Sequence, residues 1–273
     1  MTEKAVCAVE YAMMGLGLGM VLYMFLMIYG AMVMQSVIEE KSSRVLEVVV
    51  SSVRPFELMM GKIFGVASVA VVQVLIWAVL VCGAGAAVMP HVLPDGAMEA
   101  AAALQQGGGA ATAAAGDFDP ETLGAIALAT DVSYLAMLFG YLLLFVVGGY
   151  LLYSAMFAAV GSAVDNAQDA AQLQTPIMIP IILAVIVEMS VLNDPNSPLA
   201  FWFSLIPFTS PVVMMARIPY GIPTWEIVLS LVLLYAAFVG MVWLSAKIYR
   251  VGIFMYGKKP TLREMFRWIR YKY

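Results

Sequence analysis

The chain has 273 residues, 63% of them hydrophobic and 12% charged, with a mean hydropathy of +0.93 and a net charge of −4. An ordinary soluble domain carries about 25% charged residues, so this composition excludes one and fits an all-α protein that crosses a membrane several times. Cys7 and Cys82 show neither CxxC nor metal-ligand spacing and read as small apolar fillers, and the lone His91, beside Pro90, reads as an interfacial residue rather than a ligand.

The first ten residues carry Glu3 and Glu10 against Lys4, and do not read as a secretory leader. Five runs have the length of about 20 residues that a bilayer requires: 12–34, 63–89, 132–162, 173–190 and 227–246. Gly15, Gly17, Gly19 and Gly30 give the first run small faces for close helix packing. The fourth reads as interrupted by Pro176 and Pro180.

Between the first two runs lies a charged cassette. Tyr11 to Ile38 and Ile63 to Pro94 contain no Asp, Glu, Lys or Arg, whereas the intervening stretch mixes both signs. Charge is costly in hydrocarbon, so the cassette belongs at a membrane face. Ser36 to Val50 can form an amphipathic helix, with Glu40 and Arg44 in the favourable i,i+4 order; Ser51-Ser52 ends it and Pro55 suits the first turn of a second helix. The expected element is a coupling elbow over 36–58, and an interfacial helix that only anchors the fold is the plainer reading.

Residues 93–131 carry six acids and no base, with the run Gln105-Gln106-Gly107-Gly108-Gly109 inside them, and read as an aqueous loop, with room for a short helix. Asp165-Asn166 and Asn193 to Pro198 read as turns. Residues 199–217 are uncharged up to Arg217 but broken by Pro207 and Pro211. The positive-inside rule settles how to read them. Lys41, Arg44, Arg54 and Lys62 flank the cassette, and eight of the 14 basic residues crowd 247–273. Both groups lie in the cytoplasm only if 199–217 does not cross, so it reads as re-entrant, with the acidic loop outside and the C-terminus in the cytoplasm. The same arithmetic puts Met1 outside, from which a further span preceding this chain is expected.

The run SVIEEKSSRVLEVVVSSVRPFELMMGKIFG, Ser36 to Gly65, resembles the cytoplasmic segment of type-2 ABC exporter permeases, specifically the NatB-like sodium-extrusion permeases. Ser204 to Gly221 and Ile248 to Trp268 resemble that family's last re-entrant segment, final span exit and tail. The resemblance runs from Ala12 onward but lacks the first span and extracytoplasmic domain that family members carry. It implies a bacterial inner-membrane permease, possessing no cofactor, that works with a separate ATP-binding subunit and a second permease subunit. It also implies that Glu39, Glu40, Lys41, Arg44 and Glu47 contact the ATP-binding partner. A solvated charged face is the plain alternative for these five, and the tail bases suit anionic lipid headgroups.

Glu188 follows 18 uncharged residues, which makes it a candidate intramembrane or interfacial carboxylate, with Arg217 or Glu226 nearby to consider: Arg217 can pair with either acid, and Glu188–Arg217 is the pair singled out. Gln73, Gln168, Gln172 and Gln174 read as interhelical hydrogen-bond glue. No phosphate loop, HExxH or GxSxG with a triad occurs, so neither ATP binding, metal nor catalytic residues are assigned and no nucleic-acid partner is implied. Besides an exporter permease, two readings stay open: a non-transporting regulatory or assembly subunit, and a secondary ion transporter resting on Glu188.

Overall fold

The computed structural model of the chain describes residues 2–43, 54–92, 96–105, 126, 127, 130–255 and 262–268, with the backbone alone for 2–10. In chain order the helices are α1 (Thr2–Ser42), α2 (Pro55–Val92), α3 (Ala97–Gln105), α4 (Val132–Ala163), α5 (Ala167–Val191), α6 (Pro198–Leu205), α7 (Ser210–Arg217), α8 (Thr224–Gly252) and α9 (Leu262–Trp268). A single 3-10 turn, Ile218–Tyr220, joins α7 to α8, and no strand occurs among the described residues. Five helices are long and apolar enough to cross a membrane: Tyr11–Ser42, Pro55–Gly85, Val132–Ala163, Ala167–Val191 and Thr224–Gly252. The chain is therefore an all-α polytopic membrane protein.

Local chemistry sets the helix ends. Asp131 accepts a hydrogen bond from the Tyr134 amide (3.1 Å) and Asn166 from the Asp169 amide (2.9 Å), which satisfies one orphan donor at the start of α4 and of α5. Ser197 does the same for α6, where Pro198 occupies the first turn and costs no hydrogen bond.

The bundle is built around α4, whose residues from Leu151 to Ala163 are buried with the one exception of Met156. Its tyrosines reach neighbouring backbones: Tyr150 donates to the Ile63 carbonyl of α2 (2.9 Å) and Tyr153 to the Phe208 carbonyl between α6 and α7 (2.5 Å). In return Tyr235 of α8 donates to Leu144 (3.1 Å). Away from this core, α2 and α8 present Val72, Leu75, Val79 and Leu80, and Val228, Val232, Val239 and Trp243, as exposed apolar faces. Such faces suit lipid.

The structure departs from the sequence-based expectations in two places. Helix α1 does not stop with the expected span at Met34 but continues without a break to Ser42, so the start of the expected elbow is the last part of that helix. Val33, Met34, Val37, Ile38 and Lys41 recur at helical spacing and are all buried, which keeps the helix packed to its end. The second half of the elbow's first helix, 44–50, lies outside the described residues. Pro176 and Pro180 do not interrupt α5, which runs through both. A helix lodged among others tolerates proline because the freed carbonyls of Gln172 and Pro176 can be satisfied locally. The segment expected to be broken at Pro207 and Pro211 forms two eight-residue helices separated at Ile206–Thr209. Each is about 12 Å long, well short of a bilayer's hydrocarbon, and every residue of α7 is buried.

Candidate functional site

At one end of the bundle the termini of α1, α4 and α8 and the starts of α2 and α5 meet around two lysines. Lys41 has no exposed surface, and its ammonium donates to the carbonyls of Ser162 (2.8 Å) and Gly252 (2.9 Å) and lies 3.0 Å from Asp165 Oδ1. Three acceptors match the three donors of an ammonium. Both carbonyls sit in the last turn of a helix, where they lack intrahelical partners and carry the negative end of the dipole. One side chain thus caps α4 and α8 from the end of α1. The close approach is possible because residue 252 is glycine: a Cβ there would sit 2.8 Å from Ser162 Oγ and 2.9 Å from its carbonyl oxygen.

Lys62, in the second turn of α2, reaches back to α1. Its ammonium is 2.7 Å from Glu40 Oε2 and donates to the Ser36 carbonyl at 2.9 Å. The helices that flank 44–53 are consequently tied to the bundle, α1 through Lys41 to α4 and α8, and α2 through Lys62 to α1.

Of the residues expected to face a partner, Glu39 is exposed and Glu40 partly so. Lys41 is a correction. Its position on the apolar face of α1 turns it inward, so it holds helices together and is not part of the exposed charged face. Arg44 and Glu47 lie outside the described residues. Lys62, Asp165, Ser162 and Gly252 were not singled out; they contact Glu40 or Lys41 from far along the chain, and a sequence read alone does not record such pairing.

The second correction lies at the opposite end. Arg217 pairs with Glu226 (Nη1 to Oε2, 2.9 Å), not with Glu188. The guanidinium also donates from Nη1 to Ser204 Oγ (2.6 Å) and from Nε to the Pro195 carbonyl (2.8 Å), and it is 1% exposed. Ser230 donates in turn to the Ser204 carbonyl (2.7 Å). These bonds join the loop before α6, α6 itself, the end of α7 and the start of α8. Close by, the Tyr220 and Tyr11 rings lie 6.3 Å apart, and burial pushes the Tyr220 phenol above its ordinary value.

Glu188 sits elsewhere. It is fully buried, and neither carboxyl oxygen has a hydrogen-bond partner among the described residues. The carboxyl occupies the space that a side chain at Gly19 of α1 would fill.

The sequence pattern of the ABC-2 family transporter proteins matches residues 8–247. The uncharacterized protein YhaP of Bacillus subtilis is 27% identical over 246 residues, covering 90% of this chain and 52% of the relative. The uncharacterized protein MJ1024 of Methanocaldococcus jannaschii is 27% identical over 254 residues, covering 92% of this chain and 52% of the relative. The chain thus spans about half the length of the curated relatives it matches. No solved structure matches it.

Proposed function

The chain belongs to the ABC-2 transporter family, and from that premise we propose that it is membrane-spanning permease machinery of an exporter, driven by a separate ATP-binding subunit. The observation that carries this reading is the tying of the two helices that flank 44–53, α1 to α4 and α8 through Lys41 and α2 to α1 through Lys62. A protein that grips this segment, with Glu39, Glu40, Arg44 and Glu47 offering charge to it, pulls on α1 and α2 together. Through Lys41 the same movement reaches α4 and α8. ATP-driven closure of the partner then reorients the spans between two states.

The basic residues around 41–62 and after Ala246 support a reading with this end of the bundle in the cytoplasm, in a bacterial inner membrane. The two short helices α6 and α7 then form a re-entrant element at the outer side. A second permease subunit completes the transporter, and sodium is the solute that the resemblance to sodium-extrusion permeases implies.

The test is co-purification with a candidate ATP-binding subunit of this exporter class, sought among the neighbouring reading frames, using the intact chain and a Glu39→Lys variant. Glu39 is preferred to Glu40 because it is the exposed one of the two and its reversal leaves the Lys62 pair intact. A complex formed by the intact chain and lost in the variant supports the reading. An intact chain that retains no ATP-binding protein overturns it.

A further inference from the structure

The buried positions of α5 near its end are Ile181, Ala184, Val187, Glu188 and Val191. Their spacing of three and four residues places Glu188 on the packed face, turned toward protein and away from lipid. On α1 the facing surface is made by Gly15 and Gly19. Any Cβ at Gly15 would meet the backbone of Ala216 in α7, and any at Gly19 would meet the Glu188 carboxyl itself. The glycines thus let α1 close onto both α5 and α7, with a carboxyl group sealed at the seam.

Among the described side chains of the surrounding helices, none balances a negative charge there. The charged side chains described on α1 are Glu39, Glu40 and Lys41, at least 20 residues from Gly19 and so about 30 Å along the axis. Helix α4 has no Asp, Glu, Lys or Arg, and its titratable groups are Tyr134, Tyr141, Tyr150 and Tyr153; the titratable side chains described on α1 in this region are Tyr11, Tyr23 and Tyr29. Helix α6 has none, and on α7 Arg217 is committed to Glu226. No hydroxyl or amide among the described residues donates to either Glu188 oxygen. An ionised carboxylate buried without partners is among the costliest groups a protein can hold. A counter-charge must accompany it, and the most economical one is a proton on the carboxyl itself.

We propose that Glu188 is a proton-binding site at the α1–α5 seam: the neutral acid permits α1 to close over it, and loss of the proton parts the two helices. Protonation then selects between a packed and an opened arrangement of the first and fourth spans, because only one of them tolerates the charged form. The inference stands on the packing alone and does not rest on the ATP-binding partner.

Infrared spectra of the purified chain in lipid nanodiscs, wild type and Glu188→Gln, test it. The wild type should show a protonated-carboxyl stretching band that is lost in the variant and lost from the wild type as pH is raised. The wild-type unfolding temperature should fall as pH rises from the ordinary carboxyl range to the pH at which the band disappears and level off above it, while that of Glu188→Gln holds steady. A wild type with no such difference band, or two proteins whose stabilities follow pH alike, would overturn the proposal. So would a variant that does not fold, since the amide replaces the neutral acid almost atom for atom.

Discussion

The Lys41 ammonium lies 2.9 Å from the carbonyl oxygen of Gly252, so one side chain at the end of the first span holds the end of the last. With Ser162 and Asp165 as the other acceptors, no donor of the ammonium is wasted. Replacing Lys41 with Met keeps the apolar stem but strips the caps from α4 and α8. Hydrogen bonds to a charged group contribute roughly 1.5–3 kcal/mol each when buried, so the loss should be of the order of 2 kcal/mol or more. Asp165→Asn should cost less, because that carboxylate is 30% exposed and solvent screens it. Thermal unfolding in detergent, comparing the two variants, measures the difference; equal effects would contradict the assignment of the carbonyl caps to Lys41.

Gly252 offers an independent route to the same junction. An alanine there forces its Cβ against Ser162, whose backbone oxygen cannot move aside as a side chain could. Overpacking of this kind costs about 1–3 kcal/mol. Gly252→Ala should therefore destabilise the chain and loosen the C-terminal end of α8, which proteolysis of the tail beyond Ile253 would reveal as faster cleavage. Gly240, with nothing near its position, gives the matched control, and Gly240→Ala should leave cleavage unchanged.

Much of this architecture is legible in the sequence, and the parts that are not share a cause. The five spans stand out because a bilayer demands long uncharged runs, whatever the tertiary contacts. The role of Lys41 was hidden by its neighbours: amid Glu39, Glu40 and Arg44 it looks like one more surface charge. The available signal was its spacing from Val33, Val37 and Ile38, which puts it on the buried face of α1. Glu188 carries the same signal through Ala184 and Val191. The reading of Pro176 and Pro180 as breaks failed because it applied the rule for helices in water, where no neighbour compensates the lost bonds. Which acid Arg217 chooses is a matter of three-dimensional packing, and composition offered Glu188 and Glu226 on equal terms.

The Lys62–Glu40 pair should prove weak by itself. Glu40 is 38% exposed, and exposed pairs couple by only about 0.2–1 kcal/mol. A double-mutant cycle with Lys62→Met and Glu40→Gln should give a small coupling energy in stability, falling further in high salt. Its importance under the proposed function is positional. Both single variants should leave folding largely intact yet lower ATP-driven transport, because the start of α2 is no longer tied to α1. Transport unchanged in Lys62→Met would separate this pair from the coupling route.

Arg217 should behave in the opposite way. Its guanidinium is 1% exposed and is held by Glu226, Ser204 and the Pro195 carbonyl. Removing one partner of a buried pair strands the other, at a cost of roughly 3–5 kcal/mol. Arg217→Met should consequently be severely destabilising and Glu226→Gln clearly so, while Glu188→Gln is mild. A cycle between Arg217 and Glu226 should show strong coupling, and a cycle between Arg217 and Glu188 essentially none. Exchanging the charges of Arg217 and Glu188 should rescue neither single change. Rescue would mean that the two meet in another state of the protein, and it would return Glu188 to the role of a counter-ion in place of a proton site.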